Sequence, residues 1–95
     1  MKAPCVYILA SRRNGALYVG VTADLPQRVW QHKSDFVKGF TSRYNIHSLV
    51  WYESHDSMES AIAREKAIKK WHRQWKIELI VQNNPDWRDL YSDIV

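Results

Sequence analysis

Apolar and polar residues alternate with period two over the first quarter of the chain. Residues 5–11 and 16–22 read as strands joined by residues 12–15, where Asn14-Gly15 is a strong hairpin signal. A loop of two or four residues puts Val6, Ile8 and Ala10 on one face with Leu17, Val19 and Val21. That face is wholly aliphatic and predicts core. Tyr7, Leu9, Ser11, Tyr18, Gly20 and Thr22 share the other face. With four loop residues, Tyr7 and Tyr18 are diagonal neighbours, roughly 7–8 Å apart at the backbone. Gly20 is then expected to leave open space beside them.

The period changes after residue 23. Asp24 is an expected N-cap, with Gln27 three residues on and Pro26 in the first helical turn. Leu25 and Val29 mark the apolar stripe. Arg28 and His32, four apart, share a face at its edge. Singly, each reads as a surface polar residue; the spacing Arg-x-x-x-His directly after the hairpin makes them a candidate pair. Residues 34–47 predict a long connection, with a turn at Gly39 and charge interleaved with aromatics at Phe40, Arg43 and Tyr44. It can contact nucleic acid through phosphates and stacking, or tuck its rings onto the core; the two stand even.

Residues 48–53 predict a third strand. Asp56 with Glu59 predicts the cap of a second helix, with Met58, Ala61, Ile62 and Ile68 as its apolar stripe. Glu65 falls on that stripe, where an unpaired carboxylate is costly. It is either ion-paired to Arg64, Lys66 or Lys69, or a metal ligand or catalytic acid facing a cleft. Lys66, Lys69, Lys70, Arg73 and Lys76 interleave with Trp71 and Trp75, a solvated face or a phosphate-contacting surface. Residues 77–81 continue or end a helix, and Pro85 stops it. Residues 86–91 predict a short turn or helix packed by Trp87 and Leu90.

Composition narrows the class. Ninety-five residues predict one domain, residues 1–95. No run of about 18 apolar residues predicts a membrane helix. Residues 1–4 lead straight into a strand, unlike a signal peptide. The single cysteine, Cys5, reads as a small buried hydrophobe on the apolar strand face. Together these predict a cytoplasmic protein. A net charge of +4 and a pI near 9.4 favour a polyanionic partner, nucleic acid first.

These residues carry a resemblance. Val6-Tyr7 and Tyr18-Val19-Gly20, with the tyrosines eleven apart, resemble the paired signature of the GIY-YIG nuclease superfamily. Arg28 matches its helix arginine and Glu65 its metal-binding glutamate. Residues 39–44, 63–71 and 84–87 resemble the small stand-alone bacterial branch. Cys5 stands where the first motif has Gly, and Val19 where the second has Ile. His32 resembles the position where some members carry a catalytic histidine. The late asparagine is matched by Asn84, or alternatively Asn83.

The resemblance implies an α/β fold of the α+β type: a three-stranded antiparallel sheet flanked by helices, in the order β-β-α-β-α. It implies metal-dependent hydrolysis of DNA phosphodiesters with Mg²⁺ or Mn²⁺ and no small-molecule cofactor, and structure-selective cutting in DNA repair or recombination. Glu65 would hold the metal and Arg28 would stabilise charge on the phosphate. Tyr7, Tyr18 or His32 would be the base; with ordinary pKa values of about 10 and 6.5, neither residue type is excluded. Lys33, Lys38, Arg43, Lys69, Lys70 and Arg73 are the expected phosphate contacts, with Asn84 and Gly20 as further site candidates. The alternative is a non-catalytic or weakly active nucleic-acid-binding module on the same fold.

Overall fold

The hairpin forms as its pattern predicts. In a computed structural model, which describes residues 3–36 and 39–95, β1 (Cys5–Ala10) and β2 (Leu17–Thr22) pair antiparallel. Ile8 lies opposite Val19 and Tyr7 opposite Gly20. The loop has four residues: Ser11 N–H donates to Ala16 O at 3.0 Å, and Gly15 N–H to Arg12 O at 2.9 Å. Asn14 takes the left-handed backbone conformation, φ 57°, that this residue type tolerates.

The third strand, β3 (Ser48–Ser54), pairs antiparallel with β1, giving the order β2-β1-β3. Its four successive apolar residues, Leu49 to Tyr52, do not alternate. A bulge explains them: Ile8 pairs with Trp51 but Leu9 with Leu49, leaving Val50 as the extra residue. Val50 and Trp51 then pack in one core layer, and Leu49 and Tyr52 in the other.

Helices cover both faces, so every residue of the central strand β1 is buried. Helices α3 (Met58–Lys69) and α4 (Arg73–Asn83) lie on the Val6–Ile8 face, contributing Ala61, Ile68 and Ile80. Helix α1 (Leu25–Lys33) lies on the Tyr7–Leu9 face with Leu25 and Val29. Two single turns complete the fold: α2 (Phe40–Arg43), and α5 (Tyr91–Ile94), whose Tyr91 and Ile94 pack on that second layer. The expected antiparallel sheet flanked by helices is therefore present, with α2, α4 and α5 added to the expected order.

Asp24 caps α1, its carboxylate accepting from Gln27 N–H at 3.3 Å. Three local expectations are corrected. The cap of α3 is Ser57 rather than Asp56, and it accepts from Ser60 N–H at 3.1 Å. Ile62 is exposed rather than on the buried stripe, because the inward face of α3 is centred on Ala61 and Ile68. Cys5 is buried as expected but packs on the Tyr7 face, being two residues from Tyr7; its Sγ lies 3.8 Å from Ser54 Oγ.

Candidate active site

Alternation along β1 sends the Tyr7 side chain toward α1, where it is 1% exposed. The hairpin register brings Tyr18 alongside, with ring centroids 6.3 Å apart. His32 faces inward from the last turn of α1 and completes the cluster, 6.1 Å from Tyr7 and 5.4 Å from Tyr18. Gly20 does not leave open space. The Tyr7 ring fills it: a Cβ on Gly20 would lie 2.4 Å from Tyr7 Cζ and Oη.

A buried hydrogen-bond chain runs through this cluster. Tyr7 Oη is 3.3 Å from His32 Nε2, and His32 Nδ1 is 2.9 Å from Thr41 Oγ1. Burial first, then the Tyr18 phenol and the Glu65 carboxylate, push the Tyr7 pKa well above the usual tyrosine value; Arg28 pulls against them. Burial, Arg28 and His47 hold the His32 pKa below that of a free imidazole. At neutral pH the pair is thus a protonated phenol and a neutral imidazole. The tautomer that fits has Tyr7 O–H donating to Nε2 and Nδ1–H donating to Thr41.

Two charged candidates act on this chain. Half-buried Arg28 acts electrostatically on both Tyr7 and His32. Glu65 is felt at Tyr7 although α3 packs on the opposite face of the sheet. The Glu65 side chain is 12% exposed, and Lys69 pairs with its Oε2 at 2.9 Å.

Several expected phosphate contacts are engaged otherwise. Lys33 pairs with Asp89 and sits 5.3 Å over the Tyr91 ring, tying α1 to the C-terminal segment. Arg73 Nη2 donates to Asn14 O at 2.8 Å and Gly15 O at 2.6 Å, clamping the hairpin loop. Lys69 is shared with Glu65, whereas Lys70 and Arg43 are exposed. Lys38 lies outside the described residues.

Asn84 is buried, with its amide engaged within the protein. Its Nδ2 donates to Val50 O and Arg88 O, and its Oδ1 accepts from Arg88 N–H. This braces the turn in which buried Trp87 adopts φ 56°, a rare conformation for a bulky residue. In this arrangement Asn84 serves the turn rather than facing the Tyr7 cluster.

Sequence reasoning missed Thr41 and His47. Thr41 lies in the Phe40–Arg43 stretch, and its one legible signal was a small hydroxyl among aromatics. A further cluster, Ser60–His55–Glu53, has a serine–histidine–acid order at 2.9 and 2.8 Å. Arg64 shares the Glu53 carboxylate and Ser60 Oγ donates to Ser57 O, so it braces the end of β3 against the start of α3. A surface groove of about 580 Å³ is lined by Trp71, Trp75, Glu78, Leu79 and Gln82 and shares no residue with the Tyr7 cluster.

Among the described residues no group of three or more His, Cys, Asp or Glu side chains converges as a metal cage. A single, nearly buried carboxylate fits Mg²⁺ or Mn²⁺ retaining most of its water, a mode that needs one or two protein ligands.

Comparison with known proteins is consistent across sequence and structure. A family model described as the GIY-YIG catalytic domain matches residues 3–78. A UPF0213 protein of Staphylococcus saprophyticus is 32% identical over 75 residues, covering 79% of this chain and 90% of its own. One of Syntrophus aciditrophicus is 35% identical over 79 residues, covering 82% and 90%. The solution NMR structure of a UPF0213 protein of Bacillus halodurans is similar with a TM-score of 0.56 and 27% identity, over 90% of each chain. No helix among the described residues is long and apolar enough to cross a membrane.

Proposed function

The chain belongs to the GIY-YIG catalytic-domain family, a nuclease family, and from that premise we propose that it is a divalent-metal-dependent DNA endonuclease. The observation that carries this reading is the buried chain Tyr7–His32–Thr41 with the charges of Arg28 and Glu65 acting on the same phenol.

The roles follow from the chemistry. Hydrolysis requires water to lose a proton, charge to build on the phosphate oxygens, and the bond to the leaving 3′-oxygen to break. Arg28 stabilises that charge, its guanidinium presenting fixed donors to non-bridging oxygens. Tyr7 orients the water and takes its proton. A phenol raised by burial is a poor base alone, because it is already protonated. It functions if its own proton moves on as it receives the new one, and His32 Nε2 is the acceptor at 3.3 Å. Neutral His32, held by Thr41 at Nδ1, is ready for that transfer. Glu65 would hold Mg²⁺ or Mn²⁺, releasing Lys69. When bound, the cation neutralises phosphate charge and lowers the pKa of water. Thus Tyr7 takes and passes on the proton, His32 Nε2 receives it, and Tyr18 packs beside them.

The test is cleavage of a labelled DNA panel, branched, flapped, nicked, single-stranded and duplex, with Mg²⁺ or Mn²⁺. Glu65→Ala and Arg28→Ala run beside wild type, and binding is followed at two salt concentrations. Metal-dependent cutting lost in both variants supports the nuclease. The Lys69–Glu65 pair and the protonated Tyr7 favour a second reading, a binding module that does not cut. That reading is supported by salt-sensitive binding with no cleavage in either metal.

A further inference from the structure

The aromatics of the α1–β3 connection do not tuck onto the core. Phe40 is 52% exposed and Tyr44 50%. They are four residues apart on one helical turn, with ring centroids 4.8 Å apart and planes tilted by 51°. Gly39, Phe40, Arg43 and Tyr44 line an open pocket of about 310 Å³. We propose that this pair is a stacking platform for unpaired nucleobases, so that the preferred substrate carries single-stranded character beside the scissile phosphate. The proposal rests on the nuclease reading above and names its substrate class.

Three observations support this occupant. First, the platform is anchored next to the site through Thr41 and Ile46. Tyr44 N–H donates to Phe40 O and Ile46 N–H to Thr41 O. Ile46 and Thr41 are buried, and Thr41 bonds the same His32 that bonds Tyr7. A base on the rings would therefore sit on the same short segment that supplies Thr41 to the His32 chain.

Second, exposed paired rings give up burial and so call for an explanation. A duplex hides its base faces within its own stack, whereas every unpaired base offers one. Third, the charge matches. Arg43 lies in the pocket lining of a chain with net charge +4, which suits a phosphate backbone. A second copy on this patch would bring the two Arg43 side chains and two +4 chains together, which opposes self-association. The larger Trp71–Trp75 groove lacks this complementarity, because the Glu78 carboxylate lines it.

The test measures binding by fluorescence anisotropy in EDTA, so that no cutting intervenes, to a labelled single strand, a flap and a blunt duplex. Phe40→Ala/Tyr44→Ala is expected to weaken single-strand and flap binding about 5- to 100-fold, with duplex binding changed less than about three-fold. Phe40→Trp and Tyr44→Phe, which keep a ring, should retain the preference; Phe40→Leu and Tyr44→Leu, which keep bulk without a π-face, should lose it. The leucine variants carry the test if the double alanine variant fails to fold. Equal loss on all three DNAs, no loss, or conversion of a wild-type dimer to monomer with DNA binding intact would overturn the platform. Metal-dependent cutting with no preference for unpaired bases would leave the nuclease standing without the platform. Selective single-strand binding with no cutting in any metal would do the reverse.

Discussion

The Tyr7 ring lies against Gly20 so closely that a Cβ at residue 20 would fall 2.4 Å from Tyr7 Cζ and Oη. The ring is 1% exposed and packed beside Tyr18 and His32, so moving it disturbs those rings as well. Gly20→Ala should therefore destabilise the fold by roughly 1–3 kcal/mol, the usual cost of overpacking a core. It should also displace the phenol from His32. Urea denaturation would show the first effect and loss of cleavage per folded molecule the second. Unchanged stability would disprove the packing argument.

The Tyr7–His32 pair predicts two limbs in the pH dependence of stability. The folded pKa of His32 is depressed, so its contribution is present above about pH 6.5 and is lost as pH falls toward the folded value. The folded pKa of Tyr7 is raised, so its contribution is present below about pH 10 and is lost as pH climbs above it. Thermal midpoints of wild type and His32→Phe, compared between pH 5 and 8, should differ in slope, with the wild type falling more steeply on the acid side and the variant flatter. Parallel curves would argue that His32 is not held neutral by the fold.

Arg28 lowers both pKa values. Arg28→Ala should therefore raise the His32 pKa, visible as a shifted midpoint of its ring resonances in an NMR titration. In the same variant, cleavage should fall by about 10²–10³-fold, the scale of losing one preorganised electrostatic group. Arg28→Lys should restore the His32 titration more fully than the cleavage, because an ammonium keeps the charge and loses the fork. An unmoved His32 titration would place Arg28 outside the cluster.

Asn84→Ala should cost about 2–4 kcal/mol, leaving the Val50 carbonyl of β3 and the Arg88 carbonyl and N–H of the turn without their partner. Cleavage per folded molecule should stay at the wild-type level. A stable but inactive variant would restore Asn84 to the site.

Arg73→Ala should lower stability by about 1 kcal/mol through loss of the hairpin clamp. The salt dependence of DNA binding should keep its slope. A slope reduced by about one would instead identify Arg73 as a phosphate contact.

Legibility in the sequence followed distance along the chain. The hairpin face and register were readable, because strand alternation is local and its aliphatic face leaves one consistent pairing. The Asp24 cap and the diagonal tyrosines followed from the same short-range rules. The cap of α3 did not, since Asp56 and Ser57 are both good caps and backbone angles choose between them. The bulge at Val50, the burial of both sheet faces and the fit of the Tyr7 ring against Gly20 depend on how layers pack. So does the fate of each polar side chain. Asn84, Arg73 and Lys33 look like ligand-facing groups in the sequence, yet each meets a partner more than 30 residues away. The sequence by itself determined which residues could form strands, caps and charged faces, because those choices rest on neighbours a few positions apart. Only the tertiary structure decided which charges reach the Tyr7 phenol and which are spent on bracing, because side chains remote in sequence compete for the same buried groups.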